Sequence, residues 1–151
     1  MFRQLDSRVY ASPQIAIEDV AEAARLGLRL IVNNRPERES DDQTPGEVIE
    51  RAARAAGLDY VAIPVTHAGF SHAQVSAMRA ALDRAGDDAG DGENRGVLAY
   101  CRSGTRSTLL WALAEAQAGK DPAKLAAAAA AAGYDLTPIR ALLTTLASGA
   151  R

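Results

Sequence analysis

Short apolar runs and longer amphipathic stretches take turns along this chain. The runs "RVYA" (residues 8–11), "LRLIVNN" (28–34), "DYVAIPV" (59–65) and "GVLAYC" (96–101) are rich in Val, Ile and Leu and are bounded by polar residues or glycine. Runs of this length read as strands, and strands alternating with stretches of helical period predict a mostly parallel sheet with helices against it. Between them, "IEDVAEAARLG" predicts a helix stopped at Gly27, and Thr44-Pro45-Gly46-Glu47 reads as a capping box opening a second helix that runs to Gly57. Ser71 and Gln74 repeat the capping arrangement before "VSAMRAALDRAG", where Val75, Met78 and Leu82 fall on one face. The glycine and acid cluster "GDDAGDGENRG" (86–96) reads as an exposed loop.

The last third is helical throughout. "RSTLLWALAEAQAG" follows the fourth strand, and Trp111 within it is expected in the core. Next come "PAKLAAAAAAAG", with Asp121 as cap and Pro122 in the first turn, and "PIRALLTTLASG", with Thr137 as cap. The alanines from Ala126 to Ala132 need no low-complexity explanation, because alanine is the best helix former and its small side chain lets helices pack closely.

A length of 151 residues fits a single domain with one core. With 17 Lys plus Arg against 19 Asp plus Glu, the net charge of -2 offers no field to recruit a polyanion, so nucleic acid is not an expected partner. No apolar run approaches the ~18 residues of a membrane span, and "MFRQLDSRVY" lacks the layout of a signal peptide, so a soluble cytoplasmic protein is expected. One cysteine allows no internal disulfide, and two histidines, His67 and His72, offer no zinc spacing; no metal or cofactor is expected.

That cysteine stands in "VLAYCRSGTRSTLLW", where a buried-type strand meets a polar turn and then a helix. In parallel sheets ligands bind beyond the carboxyl ends of strands, and a helix start adds unpaired N–H groups and a positive dipole end. Arg102 and Arg106 add charge that favours a thiolate at Cys101. Gly104 allows the backbone to curl its N–H groups around an anion, and the hydroxyls of Ser103, Thr105, Ser107 and Thr108 are further donors. Free cysteine at a strand end is commonly inert packing, but such a packing site has no use for an arginine-rich turn. Cys101 therefore reads as a nucleophile in an anion cradle.

The hexapeptide "CRSGTR" resembles the active loop of rhodanese-type sulfurtransferases, and it is similar to the Cys-x-x-Gly-x-x-Arg loop of cysteine phosphatases shortened by one residue. Taken with "RVYASPQIAIEDVAEAARLGLRLIVNNRPERE", "YVAIPV" and "LAYCRSGTRSTLLW", the chain resembles the phosphatase-like domain of the beta-lactamase-hydrolase-like protein family over most of residues 8–113. The resemblance implies an α/β fold of cysteine-phosphatase-like, dual-specificity architecture, with a mostly parallel four- to five-stranded sheet flanked by helices. It implies Cys101 as nucleophile, Arg102 to Arg106 as cradle, Arg106 as the anion-binding arginine, and Arg35 of the Asn34-Arg35-Pro36 element at the pocket mouth. A solvated loop arginine is the alternative for Arg35.

A phosphatase of this kind needs an acid for its leaving group, and "PVTHAGFSH", where the resemblance would put an aspartate, has none. His67 is the candidate donor there, with a merely solvated loop residue as the alternative. Sulfur transfer needs no strong acid, because sulfite or a thiolate leaves unaided. The missing acid and the spacing of five from Cys101 to Arg106 therefore favour a sulfurtransferase with a persulfide on Cys101. A cysteine-dependent phosphatase of the dual-specificity type is the alternative, and a non-enzymatic redox or persulfide sensor the third reading. The expected partner is a small anion, thiosulfate, a persulfide or a phosphate ester, with an acceptor thiol or protein in the sulfur case.

Overall fold

The computed structural model describes residues 2–87 and 96–149, so most of the loop expected at 86–96 lies outside the described residues. Five strands, β1 (Arg3–Gln4), β2 (Val9–Ser12), β3 (Leu30–Asn33), β4 (Asp59–Ala62) and β5 (Val97–Tyr100), form one sheet in the order β1-β2-β5-β3-β4. The last four run parallel, as alternation with helices predicts, and β1 pairs antiparallel with β2 at one edge. At two residues β1 is too short to leave a pattern in the sequence. Strand β4 stops short of its predicted end at Val65, since Pro64 has no N–H to give a ladder.

Six α-helices are described: α1 (Ile17–Arg25), α2 (Gly46–Ala55), α3 (His72–Asp87), α4 (Thr105–Gln117), α5 (Pro122–Ala131) and α6 (Arg140–Gly149). Strand side chains alternate between two cores. Ile31, Leu98 and Tyr100 face α1 and α2, packing with Val20, Ile49 and Ala53. Val32, Val97 and Ala99 face the other way, onto Met78 and Leu82 of α3 and Leu110 and Leu113 of α4. Both faces of β3 and β5 are buried, which is why those strands read as continuous apolar runs.

Local signals decide most helix ends. Ser71 and Gln74 form the expected reciprocal cap, with Gln74 N donating to Ser71 Oγ at 3.1 Å and Ser71 N to Gln74 Oε1 at 2.8 Å. Asp121 caps α5 through Ala123 N at 3.0 Å. Two expected caps are not formed. Helix α2 begins after Pro45, and Glu37 Oε1 reaches back from the preceding loop to accept Gly46 N at 2.9 Å in place of Thr44. Thr137 opens a 3-10 turn ahead of α6 and is itself bound, N at 2.9 Å and Oγ1 at 2.6 Å, to the Asp135 carboxylate, a stronger acceptor than a hydroxyl.

Helix α4 is buried on all sides over Ser107–Ala114. It lies between the sheet and the other helices, and Trp111, 1% exposed, is in the core as expected. The indole is also tethered: Asp6 accepts Arg8 N and Val9 N, each at 2.8 Å, through Oδ1, and Trp111 Nε1 at 3.2 Å through Oδ2. One carboxylate thus shapes the β1–β2 turn and fixes the helix that follows the cysteine. Asp6→Ala is expected to lower stability by about 2–3 kcal/mol, because it strands a buried indole N–H and two backbone donors. Urea unfolding followed by the fluorescence of Trp111, the one tryptophan of the chain, measures it directly.

Candidate active site

Cys101 follows the last residue of β5, between the carboxyl ends of β2 and β3, and is fully buried. Its N–H donates to Ser12 O at 3.3 Å, while Tyr100 O accepts Asn34 N at 2.8 Å, so the loop leaves the sheet still stitched to both neighbours. From there the carbonyls are pulled outward. Gln14 N bonds Arg102 O at 3.3 Å, Tyr134 Oη bonds Ser103 O at 3.3 Å, and Thr108 bonds Gly104 O through N at 3.0 Å and Oγ1 at 2.8 Å. With the carbonyls taken on the outside, a backbone N–H can turn in: Gly104 N lies 3.1 Å from Cys101 Sγ.

This turn requires glycine. Gly104 has φ 92°, in the left-handed region, and a Cβ there would meet Tyr134 Cζ at 3.0 Å and the Ser12 carbonyl carbon at 3.3 Å. Ser103 Oγ, 3.0 Å from Thr105 Oγ1, accepts Thr105 N at 3.3 Å and closes the start of α4. Arg102, Ser103 and Thr105 are exposed. Ser107 is buried, and its hydroxyl donates to Asn34 Oδ1 at 2.8 Å, joining α4 to the end of β3, while Asn34 Nδ2 donates to Ile63 O at 2.9 Å.

The arginines meet on a residue the sequence reading did not single out. Arg106 Nη1 donates to Glu39 Oε2 at 2.6 Å and to Val65 O at 2.7 Å, and Nη2 donates to Glu39 Oε1 at 2.9 Å. Three of the five guanidinium N–H groups are thereby used, which leaves Nε–H and one Nη2–H. Arg35, only 4% exposed, is neither at an open mouth nor a solvated loop residue. Its Nε donates to Glu39 Oε1 at 2.9 Å, Nη1 to Gln14 Oε1 at 2.9 Å and Nη2 to Ser40 Oγ at 3.0 Å. Arg35 thus holds the carboxylate that holds Arg106. The hint in the sequence was the Arg35 to Glu39 spacing of four inside "NRPERE"; nothing local could show that Arg106 would join them.

The charges reinforce one another. Hydrogen bonds from Arg106 and then Arg35 outweigh burial and bring the Glu39 carboxyl down to about 2. Arg106 is held more firmly charged than usual, chiefly by Glu39, with Cys101 acting in the same sense. Arg102 lies close enough to help lower the Asp42 carboxyl, whose main cause is the bond from Ser40. His67 is exposed, and among the described residues no hydrogen bond ties its ring to the cysteine loop.

A buried thiol at the end of a central parallel strand, faced by an inward N–H and followed by an oriented guanidinium, is the site architecture of the cysteine phosphatase class. Comparison with known proteins agrees. The chain belongs to the family described as the phosphatase-like domain of beta-lactamase hydrolase-like proteins, whose model matches residues 1–120. It is 32% identical over 116 residues to the Beta-lactamase hydrolase-like protein of Xylella fastidiosa, covering 77% of this chain and 25% of that one. The chain therefore spans about a quarter of the length of the curated relatives it matches. It is similar to the crystal structure of a candidate phosphatase from Neisseria meningitidis, with 32% identity, a TM-score of 0.77 and coverage of 95% and 96% of the two chains. A candidate dual specificity phosphatase from mouse shares the fold at 16% identity, with a TM-score of 0.69 over 98% of this chain and 87% of that one. The expected dual-specificity-like architecture is thus found.

Glu39 yields a pH test with a definite sign. Its pKa in the fold, about 2, lies below the 4.5 of a free glutamate, so its contribution to stability is present above about pH 4.5 and is lost as pH falls toward 2. Glu39→Gln is expected to be about 1–3 kcal/mol less stable than wild type at neutral pH, with solvent at the carboxylate edge keeping the value low. The two unfolding curves should converge as the pH is taken down through that window, and a gap independent of pH would contradict the pairing.

Proposed function

We propose that this chain hydrolyses phosphate monoesters through a covalent thiophosphate on Cys101. One arrangement carries the reading: Cys101 Sγ facing Gly104 N–H at 3.1 Å, next to a guanidinium that Glu39 orients by two bonds. A phosphate dianion would take the two N–H groups that Glu39 and Val65 leave on Arg106 and the inward N–H of Gly104. The Cys101 thiolate attacks phosphorus, forming an S–P bond as the P–O bond to the leaving group breaks with its electron pair. Water then attacks phosphorus, the S–P bond breaks, and the thiolate and inorganic phosphate are released. The candidate phosphatase from Neisseria, 32% identical over nearly the whole chain, supports this reading over the sulfur chemistry that the sequence favours.

The protonation of the leaving group shapes the substrate range. Glu39, with its pKa at about 2, stays ionised at neutral pH and is no acid. Residues 64–70, "PVTHAGF", hold no Asp or Glu, and His67 is the one group there able to give a proton. Such a site favours leaving groups that are stable as anions, aryl rather than alkyl.

Sulfur transfer is the second reading, favoured by the same lack of an acid and by the spacing of five from Cys101 to Arg106. There the thiolate attacks the sulfane sulfur of thiosulfate, the S–S bond breaks, sulfite leaves, and Cys101 carries a persulfide for an acceptor thiol.

An aryl phosphate should be turned over and an alkyl phosphate barely so. Cys101→Ser should abolish the turnover, Arg106→Ala should lower kcat/KM by roughly a hundred- to a thousand-fold, and His67→Ala should matter most for the poorest leaving groups. Steady-state assays at neutral pH decide this. If no aryl phosphate is hydrolysed and thiosulfate adds one sulfur to Cys101 by intact mass, the sulfur reading replaces it.

A further inference from the structure

Tyr134 lies beyond residues 1–120 that the family model matches, in the turn after α5, yet it reaches the cysteine loop. Its backbone is anchored by Tyr134 N to Ala129 O at 2.8 Å. Its ring is covered by the Arg3 guanidinium, 5.4 Å from the centroid, and the same Arg3 donates through Nη1 to Ala132 O at 2.9 Å. The side chain, 9% exposed, is thus gripped between the β1 edge strand and the helical layer. Its hydroxyl has one described use: it donates to Ser103 O at 3.3 Å.

Ser103 C=O and Gly104 N–H are two ends of one peptide unit. The unit is planar and trans, so its oxygen and its hydrogen point in opposite directions, and fixing one fixes the other. The oxygen end is held by Tyr134 and the nitrogen end faces Cys101 Sγ at 3.1 Å. The neighbouring carbonyls are held by other groups, Arg102 O by Gln14 N and Gly104 O by Thr108, so Tyr134 is the described partner of Ser103 O alone. Glycine at 104, with φ 92°, leaves the nitrogen side of this peptide without the restraint a Cβ would impose. A bond accepted by the carbonyl also polarises the unit and strengthens its N–H as a donor.

We infer that Tyr134 is a positioning residue for the nucleophile: its hydroxyl locks the Ser103–Gly104 peptide with the N–H on Cys101 Sγ. Burial chiefly, with the charge at Cys101 adding to it and Arg3 opposing it, raises the Tyr134 phenol above its ordinary value, so it remains an O–H donor through neutral pH. Arg3 acts one step further out, by holding the ring.

The inference rests on Cys101 being the nucleophile proposed above, and its test reads the sulfur itself. Tyr134→Phe keeps the ring, its packing and its Arg3 contact, and removes only the hydroxyl. Carbamidomethylation of Cys101 by iodoacetamide at neutral pH should slow about threefold to tenfold, and its pH–rate profile should move to higher pH. With an aryl phosphate kcat should fall while KM changes little. Arg3→Met, which leaves the hydroxyl in place, should move the alkylation profile the same way by less. A Tyr134→Phe protein that alkylates with the wild-type rate and profile overturns the inference, and so does one that only melts at a lower temperature. Absent phosphatase activity with a retained alkylation difference retires the proposed hydrolysis and leaves the role of Tyr134 standing. Aryl phosphate turnover with no alkylation difference retires Tyr134 alone.

Discussion

Helix α4 has no solvent-facing stripe from Ser107 to Ala114, and its first turn is joined to the cysteine loop by the Thr108 bonds to Gly104 O and to β3 by Ser107 and Asn34. A helix buried on every side cannot slide or rotate without opening the core, so its amino end is held as firmly as the sheet it faces. The loop from Cys101 to Arg106 therefore spans two immobile anchors, the end of β5 and the start of α4. Its conformation is the one that fits between them, with carbonyls bonded outward and the Gly104 N–H left for the sulfur.

On this frame the electrostatics of the site are set by one carboxylate between two guanidinium groups. Glu39 neutralises part of the charge of Arg106 and Arg35 and fixes the direction of what remains. An unpaired pair of arginines this close would repel and swing toward solvent, losing the fork geometry that an oxyanion needs. The result is a site with excess positive charge, already oriented, at the mouth of a buried thiol. Arg35, placed in the sequence reading at the pocket mouth, is buried and grips Glu39, Gln14 and Ser40.

Sequence legibility followed the range of the interaction involved. The strands, the Ser71–Gln74 cap, the Asp121 cap and the buried Trp111 rest on contacts within a few residues or on apolar content, and these were readable. Thr44 and Thr137 failed as caps because a carboxylate outside the expected motif intervened: Glu37 took the Gly46 N–H, and Asp135 took the N–H and hydroxyl of Thr137 itself. The cysteine loop itself was legible for the same reason as the strands: its glycine, arginines and hydroxyls are contiguous.

The amino-acid sequence by itself determined the alternation of strands and helices, the parallel sheet, and a cysteine followed by a glycine turn, because hydrophobic period and turn chemistry are written into neighbouring residues. Only the tertiary structure decided who orients the site. Glu39 meets Arg106 across 67 positions of chain, and Tyr134 meets Ser103 across 31. These side chains converge because the sheet order brings the ends of β2, β3 and β5 together and the helical layer closes over them. No local pattern encodes a carboxylate that becomes the partner of two arginines, or a phenol that fixes one peptide plane; both exist only once the core has packed.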